Sequence, residues 1–312
     1  MIEFKREDWA LILGGSSGFG LATAKKLSRH GMSVCVVHRD RRGAMHRIEP
    51  EFDAIRACGN GFIALNLDAL SPEGRARTLD ALAEQMGTSG RVRLLLHSIA
   101  FGNLKLVAPP MPDPRPQEAI DCLAEALGVN PDLLSEQIED MLIAGAPAFH
   151  SLTEPAYGKQ LLDDDDVSRT IYSMGTSLLS WVRDVHERGL FAADARVIGL
   201  TSEGNETAWP GYAAISAAKA ALESISRAIA LEYAPYGIRA NIIQAGVTDT
   251  PALRAIPGSI RMKAVAELRN PFQRLTRPED VADFICLMCT DEAAWVNGAI
   301  LCVDGGECIA SL

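Results

Sequence analysis

The chain has 312 residues, 48% of them hydrophobic, and a formal net charge of −10 at pH 7. That length suits one large α/β domain with a sizeable core, and the acidic balance argues against nucleic acid or an anionic membrane as the main partner. No apolar run approaches the roughly 20 residues a bilayer demands.

The start, Met1 to Asp8, leads into a strand-like run with no signal-peptide pattern. Seven cysteines without framework spacing read as reduced thiols, so the expected compartment is the cytoplasm.

Strands and helices then alternate. Trp9-Ala-Leu-Ile-Leu13 reads as a buried strand, followed by a glycine-rich turn and a helix from about Gly20 to His30. Further strands are expected at Ser33 to Val37, Gly61 to Leu65, Val92 to Leu96, Arg196 to Leu200, Ile238 to Ile243 and Ala299 to Val303. Helical patterns fall near 74–87, 169–188, 212–234 and 278–290. Short apolar runs separated by helices predict a single doubly wound, Rossmann-type parallel sheet over 1–312, with helices on both faces.

One segment breaks the rhythm. About 70 residues separate the fourth strand from the next core helix, against the usual 2–6 of a βα loop. Within 103–168, Gln117 to Leu127 and Asp132 to Ile143 look helical and are broken at Gly128-Val-Asn-Pro131. A helical hairpin inserted near the active-site edge is expected, as a lid, an oligomer contact or a purely structural piece. Asp163 to Asp166 reads as a solvated helix N-terminus. The C-x-x-C of Cys286 and Cys289 lies inside an amphipathic helix and reads as buried thiols rather than a metal site.

Leu13-Gly14-Gly-Ser16-Ser17-Gly18-Phe19-Gly20 links the first strand to the first helix. In that context glycines allow a tight turn and a close approach of a pyrophosphate to the helix N-terminus, so dinucleotide binding is expected. At the end of the second strand stands His38-Arg39-Asp40-Arg41-Arg42. An NAD site favours an acidic residue there; Arg39 can instead pair with a 2′-phosphate, which predicts NADPH, with NADH as the alternative.

Tyr212-Ala-Ala-Ile-Ser-Ala-Ala-Lys219 places a tyrosine and a lysine seven apart, on one face of a helix. The ammonium should lower the phenol pKa and make a proton donor. The commoner arrangement for carbonyl reduction has tyrosine four before the lysine, and Ile215 occupies that position here. A displaced donor points to reduction of a conjugated double bond.

These motifs together resemble the short-chain dehydrogenase/reductases over nearly the whole chain outside 103–168. The resemblance implies that Asp68 and Ala69 lie at the adenine, and that Ser98, Ile99, Ala100 and Leu200 line the cofactor site. It implies that the backbone near Thr248 meets the carboxamide, beside Gly246, and that the Thr250 hydroxyl meets a cofactor phosphate. Val303-Asp304-Gly305-Gly306 matches the family near the C-terminus.

Within the family, the Tyr212/Lys219 spacing, His97-Ser98-Ile99-Ala100-Phe101 and the Ala245-Gly246 pair are most similar to the enoyl-acyl-carrier-protein reductases. Departures are an ordinary rather than expanded glycine turn and Ser202 where a second tyrosine often stands. The proton-relay asparagine is also missing, since no Asn lies between Asn130 and Asn205.

The implied chemistry is reduction of an enoyl thioester in fatty acid metabolism. Tyr212 would stabilise the enolate oxygen and Lys219 hold the nicotinamide ribose, with Ser202 assisting or lining the pocket. A homotetramer is implied, acting on acyl groups carried by acyl carrier protein or coenzyme A. His97, at a strand end, reads as scaffold. Arg254, Arg261, Lys263, Arg269, Arg274 and Arg277, opposed by Glu267, form a basic run that reads either as a solvated face or as a dock for an acidic carrier or a coenzyme A phosphate. The rivals are an NADPH-dependent carbonyl reductase and a non-catalytic NADP-binding protein.

Overall fold

The computed structural model describes residues 2–311. Strand β1 (Asp8–Leu13) leads through the glycine turn into α1 (Gly18–Arg29). There follow β2 (Ser33–His38), α2 (Met45–Arg56), β3 (Phe62–Asn66), α3 (Pro72–Met86) and β4 (Arg91–His97). The chain then leaves the sheet for α4 (Arg115–Leu127), α5 (Pro131–Ile143) and α6 (Asp164–Ile171). It returns through α7 (Ser177–Glu187) to β5 (Phe191–Thr201). After α8 (Ala213–Glu232) come β6 (Ile238–Ala245), α9 (Pro251–Arg254), α10 (Ser259–Arg269), α11 (Pro278–Met288) and β7 (Ile300–Val303).

The seven strands pair in parallel in the order β3-β2-β1-β4-β5-β6-β7. The order reverses direction between β1 and β4, and in such a sheet the crevice at the carboxyl ends of those strands is where ligands bind. Leu13 pairs with His97 in register, so both strands end at the same level and Gly14 and Ser98 meet beyond them.

Neighbouring strand residues serve opposite faces. Leu11, Leu95 and Val197 pack with Leu79 and Leu82 of α3, Trp181 of α7 and Leu222 of α8. Ile12, Leu96 and Ile198 pack with Leu27 of α1, Phe52 of α2 and Ile285 of α11. Coverage on both faces explains why these strands read as continuous apolar runs.

The expected strands are present with small shifts at their ends, apart from β5, which begins five residues earlier at Phe191. Three helices, α2, the short α9 and α10, were not expected. α2 buries Ile48, Phe52 and Ile55 on one face, but carries Pro50 inside it, which breaks the helical signal in the sequence. α10 has a weak apolar stripe and buries only Ala264 and Ala266.

The helix expected at 169–188 begins at Asp164. It widens into a π turn over Tyr172–Thr176 and continues as α7. At that turn Gly175 lies flat against α8, where a Cβ would stand 2.6 Å from the Ala218 carbonyl oxygen.

In the insertion, Gly128 takes a left-handed conformation after α4, and Asn130 caps α5 by accepting a hydrogen bond from Leu133 N at 3.1 Å. The hairpin buries Ile120, Ile138 and Leu142 against Ala264 of α10. It therefore rests on the segment after β6. Asp163 and Asp166 form a reciprocal capping box at the start of α6, and Asp166 also holds Lys105 at 2.5 Å. Cys286 and Cys289 are buried, and burial pushes their thiols up to about 11 and about 12. No helix among the described residues is long and apolar enough to cross a membrane.

Candidate active site

The crevice at the ends of β1 and β4 opens into a cleft of about 690 Å³. Gly14 turns there with φ +84°, and a Cβ on it would stand 2.5 Å from the Ser98 carbonyl oxygen. Only glycine lets the two strand ends approach so closely. Gly20, inside α1, has no room for a methyl group against the Gly14 carbonyl. It packs the helix onto the turn and does not line the cleft, whereas Ser16, Ser17, Gly18 and Phe19 do.

Ser17 precedes α1 without a side-chain cap, so the first-turn N–H groups face the cleft uncapped. Thr250 faces Gly18 across the gap: its methyl carbon would lie 3.3 Å from a Cβ built there. The Thr250 hydroxyl accepts from Leu253 N at 3.2 Å, capping α9 and keeping its own proton to donate. A pyrophosphate fits this cradle of an uncapped helix end and a hydroxyl donor.

Ser98, Ile99, Ala100, Leu200, Gly246 and Thr248 also line the cleft. Arg39 stands at its mouth, half exposed, 3.2 Å from Asp68 and with its guanidinium 4.6 Å from the Phe101 ring centroid. Asp40 is turned inward, its carboxylate 2.9 Å from His38 Nδ1. Asp68 and Ala69, expected at the adenine, do not line the cleft. Asp68 accepts from Leu70 N and pairs with Arg39, while the Ala69 carbonyl accepts the indole N–H of Trp181 at 3.0 Å.

Deeper in, Tyr212 occupies the N-cap of α8 and Ser202 follows β5; their hydroxyl oxygens are 3.4 Å apart. Lys219, buried one face along α8, donates from Nζ to the Leu200 carbonyl at 2.6 Å. The expected lowering of the Tyr212 phenol does not occur. Burial pushes it up, and the Ser202 hydrogen bond only partly offsets this. The Lys219 ammonium is directed at the strand carbonyl, and burial lowers its own pKa to about 8, against the opposing pull of Glu223. Tyr212 is therefore a neutral hydrogen-bond donor.

Ile215 is buried with Met174 and Ala218, against Leu104, Ile171 and Tyr212. It presents an apolar wall to the cleft. His97 is buried, its Nε2 is 2.8 Å from Ser177 Oγ, and burial, helped by Lys219, brings its pKa down to about 3. A neutral, enclosed imidazole is scaffold.

Sequence reasoning missed one cluster. Arg269 of α10 pairs with Glu203, next to Ser202, and with the buried Glu307 at 3.2 Å. Glu307 in turn accepts from Val247 N at 3.1 Å. All three residues line the cleft and tie together the β5 end, α10 and the chain after β7. Nothing in their spacing signals this, because they come from three distant segments.

The basic run also reads differently in three dimensions. Besides Arg269, Arg254 and Lys263 face Asp249 at 2.9 and 3.6 Å, and Arg274 faces Asp280 at 2.6 Å. Carboxylates brought in by folding neutralise most of the cationic excess that the sequence displays.

A parallel sheet, an uncapped helix end over a glycine turn, and a Tyr/Ser/Lys cluster beyond it define an oxidoreductase using a nicotinamide dinucleotide. Residues 140–307 match the family model described as enoyl-(acyl carrier protein) reductase, and residues 8–108 the one described as short chain dehydrogenase. The chain belongs to the short-chain dehydrogenase/reductase family.

It is 26% identical over 297 residues, 95% of each chain, to a cis-4-hydroxycyclohexanecarboxylate dehydrogenase of Sinomonas cyclohexanicum. It is also 26% identical over 309 residues to a 1-cyclohexenylcarbonyl-CoA reductase of Streptomyces collinus, covering 98% of this chain and 89% of that one. The fold is shared with the enoyl-[acyl-carrier-protein] reductase (NADH) of Aquifex aeolicus VF5, with a TM-score of 0.70, 22% identity, and 100% and 99% of the two chains covered.

Proposed function

We propose that the protein reduces the C2=C3 double bond of an enoyl thioester, with NADPH as the reductant. The observation that carries this reading is the pairing of one reachable phenol, Tyr212, with an apolar Ile215 at the position four before Lys219. The bound cofactor would supply the hydride, and its phosphates would rest on the Gly14–Gly20 turn and Thr250.

When hydride arrives at the β-carbon, negative charge collects on the thioester oxygen, and a proton taken from solvent by way of Tyr212 Oη then completes the α-carbon of the saturated thioester. A donor aimed at that oxygen is then the largest single contribution to catalysis. Tyr212 Oη serves this role as a neutral donor, with Ser202 Oγ beside it to share the oxygen or orient the phenol. The side chains of Leu104, Met174 and Ile215 exclude water from the reacting carbons, which strengthens the bond to the oxyanion. Lys219, held on the Leu200 carbonyl, holds positive charge beneath the site.

The cofactor preference rests on Arg39 and Asp40. Arg39, half exposed at the mouth, would exchange its pairing with Asp68 for a 2′-phosphate, and Asp40, which also lines the cleft, has its carboxylate engaged with His38.

The acyl group would arrive on coenzyme A or acyl carrier protein, and the working unit would be a cytoplasmic homotetramer. Internal pairing of the basic run leaves Arg261 and Arg277 as the candidates for contact with an anionic carrier.

A second reading is alcohol oxidation or carbonyl reduction. It is favoured by the Ser202–Tyr212 hydroxyl pair and by the dehydrogenase named among the relatives. NADPH oxidation with crotonyl-CoA and acetoacetyl-CoA side by side separates the two: turnover of crotonyl-CoA alone supports the first, and of acetoacetyl-CoA alone the second. Tight NADPH binding with neither turned over would favour a cofactor-binding protein.

A further inference from the structure

Three consecutive residues at the end of β5 are each held by α8. Lys219 donates to the Leu200 carbonyl at 2.6 Å, Glu223 accepts from Thr201 Oγ1 at 2.6 Å, and Tyr212 meets Ser202. The same Glu223 oxygen accepts from Asn205 Nδ2 at 2.8 Å, so one carboxylate tethers the chain on both sides of Ser202. We infer that Glu223 is a positioning residue of the reaction centre: it fixes the β5 end that carries Ser202 and places a carboxylate one helical turn from Lys219. This rests on the reductase reading only for the chemistry that Ser202 and Lys219 serve.

Glu223 is only 7% exposed. A carboxylate in such a place is costly unless its charge or its hydrogen bonds are needed. An amide would satisfy Thr201 as well, so the charge itself calls for a reason, and residues four apart on a helix are neighbours. The titratable groups near Lys219 are His97 from β4, Tyr212 at the N-cap of α8 and Glu223 on α8 itself. His97 is neutral because burial holds its pKa near about 3, and burial raises the Tyr212 phenol. The Glu223 carboxylate is then the anion that opposes the pull of burial on Lys219.

The test follows Lys219 directly, by pH titration of 13C-lysine in the cofactor-free protein, in wild type and Glu223→Gln. The variant keeps an acceptor for Thr201. The Lys219 midpoint is expected to fall by about one pH unit. The alkaline limb of kcat for crotonyl-CoA reduction should move with it, while KM changes little. An unchanged midpoint in a folded Glu223→Gln protein overturns the electrostatic half.

Thr201→Val and Asn205→Ala break the tethers and leave the charge. They should lower kcat about fivefold together without moving the Lys219 midpoint; unaltered kcat overturns the positioning half. They also keep the inference testable should Glu223→Gln fail to fold. If wild type ignores crotonyl-CoA, the enoyl reading fails, while the Lys219 midpoint still decides the role of the Glu223 charge.

Discussion

Ser202 reaches Tyr212 hydroxyl to hydroxyl at 3.4 Å, and so couples the end of β5 to the first residue before α8. The contact is long for an O–H···O bond, which ranks Ser202 below Tyr212 in the chemistry. Ser202→Ala should lower kcat on an enoyl thioester about fivefold, the worth of one modest hydrogen bond. Steady-state kinetics checks it, and a loss of a thousandfold would mean that the serine, as in the rival carbonyl reading, is indispensable.

His97 makes stability depend on acid. Its folded pKa of about 3 lies below the ordinary 6.5, so between those values the unfolded chain binds more protons. Stability is therefore complete above pH 6.5 and is lost as pH falls towards 3. At pH 5.5 this one group should already cost about 1 kcal/mol relative to neutral pH. Denaturant titrations of wild type and His97→Asn at both pH values measure the difference, and parallel acid limbs would contradict the assignment.

Arg39→Asp should reverse the cofactor preference, lowering affinity for NADPH by about a hundredfold and raising that for NADH. Fluorescence titration of both cofactors reads this without any substrate. An unchanged ratio would remove Arg39 from the 2′-phosphate site.

Arg269→Met leaves Glu203 and Glu307 facing each other without their cation. Breaking a partly buried pair in this way should cost about 2 kcal/mol. It should raise KM more than it lowers kcat, since Met262, Val265 and Ala266 of α10 line the cleft beside Arg269. Thermal melts and kinetics on the same preparation check both halves.

Much of the sheet could be read in advance because burial on both faces writes apolar runs into the strands, and the glycine turn stands directly after the first of them. Tyr212, Ser202 and Lys219 fall near one another because a single strand end and a single helix start carry them. Folding adds what spacing cannot show. α2 stays hidden behind Pro50, and the Tyr212 phenol rises rather than falls because burial disfavours its charged form while Lys219 is turned to a backbone carbonyl. The apparent basic run loses its excess to Asp249, Glu203, Glu307 and Asp280, all of which lie outside it. Charge partners are set by tertiary contacts, so a cationic stretch of sequence is no measure of a cationic surface.

The most direct measurement is the turnover of crotonyl-CoA by Tyr212→Phe under saturating NADPH. On the proposed mechanism, loss of the phenol that would face the developing oxyanion should lower kcat by roughly 10²–10³, with KM changed by less than about threefold. Turnover equal to wild type would contradict the assignment of Tyr212 as the donor to the enolate oxygen.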